Sequence, residues 1–134
     1  MKNDWLIQKT INWIESHLHE QISANDIDVV TGFSRYHFHR VFQTSVGMSV
    51  TEYIRMRRLA NAASVLLNTD ERIIDIAFYY QFESQETFTR AFKKLYYLPP
   101  GQYRKVMRTM RRNREESIVE EKIKGWFISK MYPL

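Results

Sequence analysis

The sequence predicts an all-α fold: two helix-turn-helix subdomains joined by one long helix, about seven helices plus a C-terminal extension. Three observations carry this. Gly (4) and Pro (3) are few in 134 residues while Leu, Ile, Met, Ala, Arg and Glu are plentiful, which suits helices better than a turn-rich sandwich. Apolar residues recur at helical spacing behind small polar N-caps. One helix–turn–helix pattern is written twice.

Asp4 is placed to cap a first helix with the stripe Ile7, Ile11, Ile14 and Leu18, with Trp5 and Trp13 alongside. Ser23, with Asp26 three residues on, resembles a capping box and opens a second helix through Ile27, Val29 and Val30 that stops at Gly32. Ser34 caps a third, whose inner stripe is Phe38, Val41, Phe42 and Ser45, closing near Gly47. Ser49 starts a fourth helix that runs without Gly or Pro to about Leu67 and is broken by Asn68-Thr69-Asp70. A fifth covers about Arg72 to Tyr80. Ser84 caps a sixth, with Phe88, Ala91, Phe92 and Leu95 inward. Pro99-Pro100-Gly101 stops it, and Pro100 begins a short helix through Tyr103. Near the end, Ser117 is placed to cap a helix with Val119, Ile123, Trp126 and Phe127 on one side, weakened by about 1 kcal/mol at Gly125. The predicted organisation is an N-terminal unit (1–49), a connecting helix (50–68), a C-terminal unit (69–114) and the extension (115–134).

The repeat is exact enough to number. Asp26-Ile27 matches Asp75-Ile76 and Phe33 matches Phe82 at an offset of 49. From Ser34 onward the offset is 50: Ser34/Ser84, Phe38/Phe88, Arg40/Arg90, Phe42/Phe92 and Tyr53/Tyr103. The second copy therefore has one extra residue in its turn. A duplicated structural hairpin has the same pattern, so the outer faces must decide.

Charge narrows the choice. The net charge is +5, but residues 1–34 carry −3, residues 35–114 carry +9 and residues 115–134 carry −1. A basic centre between mildly acidic ends suggests a polyanion-binding face, or else a solvated surface. Chemistry of other kinds lacks its residues. The absence of cysteine excludes disulfides, thiol catalysis and Cys-ligated zinc. No nucleophile–base pair or phosphate-binding glycine loop is present, so neither catalysis nor a cofactor is expected. The pairs His17/His19 and His37/His39 are spaced i, i+2 and point apart on a helix, which argues against a metal site. No apolar run approaches the roughly 18 residues that span a bilayer, and the N-terminus turns polar at once, so no membrane association is expected and a cytoplasmic location is.

On the third helix the stripe opposite Phe38 and Phe42 is Tyr36, His39, Arg40 and Gln43. On the sixth it is Glu86, Thr89, Arg90 and Lys93, with Gln85 beside it. Arg is bidentate to guanine and Gln to adenine, His and Thr offer smaller contacts, and Tyr gives an apolar edge for a thymine methyl. Polar outer faces are ordinary. The repeat, the central +9 and an Arg at the same place in both copies together point to nucleic acid.

Residues 8 to about 108 resemble the DNA-binding domain of AraC/XylS-type transcription regulators. Within that family they are most similar to the small stand-alone activators of multiple-antibiotic and oxidative-stress resistance. The resemblance rests on residues 32–42 (GFSRYHFHRVF), 53–59 (YIRMRRL), 75–93 (DIAFYYQFESQETFTRAFK) and the closing PPGQYR at 99–104. It implies activation of transcription through contact with RNA polymerase. By position it implies base reading by Tyr36, His39 and Arg40 from the first recognition helix and by Gln85, Glu86, Thr89 and Arg90 from the second. Relatives usually have Trp at Tyr36, Gln at His39 and Gln at Glu86, which implies a shifted target or lower affinity. Arg35, Gln43, Arg55, Lys93, Tyr103, Arg104 and Lys105 are candidates for phosphate contact.

The joining helix spans roughly 27 Å at 1.5 Å per residue, against about 34 Å between successive major grooves, so modest DNA bending closes the gap. Two unlike readers in one chain predict an asymmetric promoter site bound by a monomer. On this helix the stem of Arg57 or Arg58 is free simply to pack. The basic run 104–114 reads as backbone contact or as a solvated exit strand. The tail reads as docked on the second unit or as a patch for polymerase or another partner. With no sensing domain in the sequence, control is expected through abundance or a partner, with no small-molecule effector. A protein-interaction module and a nonspecific nucleoid binder are the competing readings.

Overall fold

The computed structural model describes residues 4–131, with side chains in the last helix described through Ile118 and at Glu121, Lys122 and Gly125. It consists of α1 (Asp4–Ser16), α2 (Ala24–Thr31), α3 (Arg35–Val46), α4 (Val50–Asn68), α5 (Ile73–Tyr79), α6 (Gln85–Tyr96) and α7 (Pro100–Met131), with no strand among the described residues.

The caps set the helix starts. Ser23 and Asp26 form a reciprocal capping box on α2. Ser34, Ser49 and Ser84 accept from the backbone N–H three residues on, at His37, Glu52 and Thr87. Helix ends repeat as well. Gly32 and Gly47 close α2 and α3 in the left-handed region, at φ 69° and 89°. Their matches in the second copy, Gln81 and Tyr97, hold the same conformation at φ 68° and 69° without being glycine.

Each unit is built round a phenylalanine pair. Phe38 and Phe42, then Phe88 and Phe92, are fully buried, with ring centroids 5.7 and 5.6 Å apart. Helix α4 supplies Val50, Ile54, Leu59, Ala62, Ala63 and Leu66 to one cluster that runs through both units. Each turn is also clamped by an arginine. Arg58 donates from Nε to the Leu18 carbonyl (2.9 Å) and from a terminal nitrogen to that of Glu20 (2.7 Å). Its match, Arg108, donates to the carbonyls of Leu67 and Thr69, the matching positions in the second copy. These bonds satisfy carbonyls left open in the turn beyond α1 and at the end of α4.

Several sequence expectations are corrected. Leu95 is 40% exposed and Ser45 is exposed. The inner stripes keep Val41 and Ala91 as expected but end on Val46 and Tyr96 in place of Ser45 and Leu95, running Phe38, Val41, Phe42 and Val46 and Phe88, Ala91, Phe92 and Tyr96. Tyr96 stacks on Phe92 at 4.7 Å and takes the place expected of Leu95. Thr10, which no expected stripe included, is also buried in α1, its hydroxyl donating to the Leu6 carbonyl. Trp5 is exposed, and Leu18 lies in the turn beyond α1. Neither a short helix ending near Tyr103 nor an exit strand exists, because α7 runs unbroken for 32 residues and Ser117 lies inside it rather than at a cap. Pro100 is well suited to its first turn, and residues 102–124 hold no Gly or Pro. The expected stripe Val119, Ile123, Trp126 and Phe127 lies outside the described side chains.

Candidate nucleic-acid interface

Helix α3 turns Arg35, Tyr36, Arg40 and Gln43 to solvent, with Tyr36 77% exposed. His39 is half-buried, its ring edge-on to Phe38 at 5.8 Å. Helix α6 exposes Gln85, Glu86, Arg90 and Lys93, with Thr89 half-buried at the position matching His39. These five α6 residues line one shallow depression. The two units therefore present their outer faces alike, each on a helix whose opposite side is pinned by two buried phenylalanines.

The chemistry of these faces lies in what they leave unused. Among the described residues, no hydrogen bond or ion pair engages the side chains of Tyr36, Arg40, Gln43, Gln85, Glu86, Thr89, Arg90 or Lys93. Glu86 and Arg90, four residues apart, form no ion pair. Glu86 lies in the first turn of α6 and Lys93 in its last, where each complements the helix dipole.

The other arginines divide by helix face. On α4, Arg57 is paired with Glu15, whose carboxylate also accepts from the Tyr53 hydroxyl. The hydrogen bond from Arg57 to Glu15 raises the Arg57 pKa, while burial is the main cause raising that of the Tyr53 hydroxyl. Burial lowers the Arg58 pKa, consistent with a guanidinium drawn inward onto carbonyls. Among the described residues Arg55 is exposed and free of such bonds, and it borders grooves on both sides of α4.

On α7, Arg104 donates to the carbonyls of Leu66 (2.8 Å) and Glu71 (2.6 Å). Arg108 adds an ion pair with Asp70, and Arg111 donates to Asn68. Lys105, Arg112 and Arg114 are exposed. The basic run is thus a helix with one face tied to the end of α4, and the i, i+4, i+7 spacing of Arg104, Arg108 and Arg111 is the signal that could have shown it. Tyr103 is half-buried, its ring edge-on to Phe92 at 5.2 Å. Arg35 uses one terminal nitrogen on Asn25 and Asp28.

The histidines spend their rings on aromatic neighbours: His17 on Trp13, His19 on Tyr79, His37 on Phe33 and His39 on Phe38. Among the described residues no group of three or more His, Asp or Glu is placed to hold a metal ion, and no helix is long and apolar enough to cross a membrane.

Comparison with known proteins gives the arrangement its context. A helix-turn-helix domain model matches residues 29–106. The chain is 65% identical over 127 residues, 95% of its length, to the uncharacterized HTH-type transcriptional regulator YbfP of Bacillus subtilis (strain 168), and it spans 43% of that relative's length. It is 41% identical over 99 residues to the HTH-type transcriptional activator AarP of Providencia stuartii, covering 74% of this chain and 73% of that protein. The DNA-binding domain of AdpA, a global transcriptional factor solved in complex with a target DNA, superposes with a TM-score of 0.73 at 24% identity, covering 78% of this chain and 95% of that one. At that identity the likeness is one of fold.

Proposed function

The chain belongs to the AraC-type helix-turn-helix transcription regulators, and we propose that it binds promoter DNA by placing α3 and α6 in successive major grooves. The observation that carries this reading is the pair of matched, unengaged outer stripes on helices built from the same cap and the same buried phenylalanines. A guanidinium that makes no bond within its own protein is free to offer its planar donor pair to guanine. Base reading falls to Tyr36, His39 and Arg40 in one groove and to Gln85, Glu86, Thr89 and Arg90 in the other.

Phosphate contact falls first to Gln43, Arg55, Lys93 and Lys105, which are exposed and, among the described residues, unengaged. Arg35 keeps two nitrogens for the same task. Arg104 and Tyr103 serve the fold before they serve DNA. Because the two stripes differ in sequence, the site is asymmetric and one chain covers it. Contact with RNA polymerase is the proposed route to activation, and the bacterial nucleoid in the cytoplasm is the proposed place of action.

The test is binding to a duplex selected from a random library and to its scrambled version across salt. A sequence-specific reader keeps its preference as both affinities fall. Equal loss of both, with no preference at any salt, refutes the proposal.

A further inference from the structure

The internal repeat separates what each unit needs from what joins the two. In the turn after α1, three successive carbonyls each accept from a side chain elsewhere: Leu18 and Glu20 from Arg58, and His19 from Gln81 Nε2 at 2.8 Å. In the second copy Arg108 reproduces the outer two bonds on Leu67 and Thr69. Among the described residues no hydrogen bond from a side chain reaches the carbonyl of Asn68, the match of His19. The middle bond is therefore no part of the repeated unit. It ties the first unit to the second across 62 residues of sequence.

Two further observations fall on the same spot. Gln81 sits at φ 68°, where the first copy has Gly32 and where any side chain is strained. Glycine would relieve that strain, yet the residue present is one whose amide reaches the other unit. Two residues earlier, Tyr79 stacks on the His19 ring, with centroids 5.5 Å apart and planes 14° from parallel. Tyr79 and Gln81 thus both grip His19, one by its ring and one by its carbonyl. Helices α1 to α3 pack on one another, α3 also on α4, and α5 and α6 on each other and on α4. This grip is a side-chain tie between the units away from that shared helix.

We propose that Gln81, assisted by Tyr79, is a positioning residue that fixes the angle between α3 and α6 and so sets the half-site spacing the protein accepts. The proposal rests on the DNA-reading function above. Each base pair added between half-sites shifts the second by about 3.4 Å and turns it by roughly a tenth of a circle. A pair of units free to pivot about α4 absorbs such a change better than a tied pair.

The variant is Gln81→Gly, which deletes the amide and gives the left-handed position its preferred residue, so loss of folding does not confound it. The chain has no cysteine, so spin labels at Thr44→Cys and Lys94→Cys report the distance between matched exposed positions near the C-terminal ends of α3 and α6. Without DNA, Gln81→Gly should broaden that distance distribution. An unchanged distribution overturns the tie. With the selected duplex, the ratio of affinities for native spacing against one added or removed base pair should narrow by about three- to tenfold, the worth of one neutral hydrogen bond. An unchanged ratio overturns the role in spacing. If the parent chain itself shows no preference for any duplex, the spacing role falls with the DNA-reading function, and the label distances alone decide whether the tie exists.

Discussion

Replacing Arg58 by methionine keeps an unbranched apolar stem and removes the guanidinium that holds the turn after α1. Two bonds are lost, Nε to the Leu18 carbonyl at 2.9 Å and a terminal nitrogen to the Glu20 carbonyl at 2.7 Å. A hydrogen bond from a charged donor is worth about 1.5–3 kcal/mol when sheltered. Only the first qualifies, because the Glu20 end is exposed and water replaces it at small cost. Removing a charge that its surroundings disfavour returns part of the loss, since burial already lowers the Arg58 pKa. The net expectation is a destabilisation of about 1.5–2.5 kcal/mol. Lysine at the same position keeps the charge but has a single nitrogen, so Arg58→Lys should lose roughly half as much. Urea denaturation followed by far-ultraviolet circular dichroism measures both, with an unchanged m value as the sign that only stability moved. If Arg58→Lys matched the parent chain, or Arg58→Met lost less than about 0.5 kcal/mol, the clamp would not be what holds the turn.

Tyr97→Gly should stabilise the protein by about 0.5–1 kcal/mol, because Tyr97 is 84% exposed, holds φ 69° and stands where the first copy has Gly47; thermal denaturation checks the sign. The Ser23 bonds hold the Asp26 carboxyl below the usual aspartate pKa, backbone N–H first and hydroxyl second. Its contribution is therefore complete above the unfolded value near 3.9 and fades as pH falls through the lowered one, so Asp26→Asn should flatten the acid limb of a stability–pH curve. Glu86→Gln should bind random duplex more tightly at low salt, as one repulsive charge near phosphates is gone. If Glu86 also faces a base, preference should change at one position of the second half-site, which single-base variants of the site will show.

Much of this architecture is legible in the sequence, because duplication makes each reading check itself. Ser34 and Ser84 announce matching helix starts, and Phe38/Phe42 with Phe88/Phe92 announce matching inner faces. What escaped has physical reasons. Gly47 reads as a helix stop, but Tyr97 does not look like one, since a tyrosine rarely takes the left-handed conformation. Thr10 stands in no apolar stripe because it is polar, and its burial depends on a hydroxyl that bonds within its own helix. Arg104 and Arg108 read as a charge run, because a sequence does not show which carbonyls a helix end leaves open nearby. The length of α7 escaped because a basic run and a serine look like an ending, although nothing after Gly101 breaks a helix before Gly125. The Gln81 tie escaped entirely, since its partner is a backbone atom 62 residues away.

On the proposed function, two different helices of one chain read two different grooves. The deciding measurement is the affinity of the parent chain, Arg40→Ala and Arg90→Ala for every single-base variant of the selected site. Two unlike clusters of sensitive positions about one helical turn apart are expected. Arg40→Ala should flatten one cluster and Arg90→Ala the other, each at a cost of about 1–3 kcal/mol. A palindromic pattern, or two variants that flatten the same cluster, would contradict it.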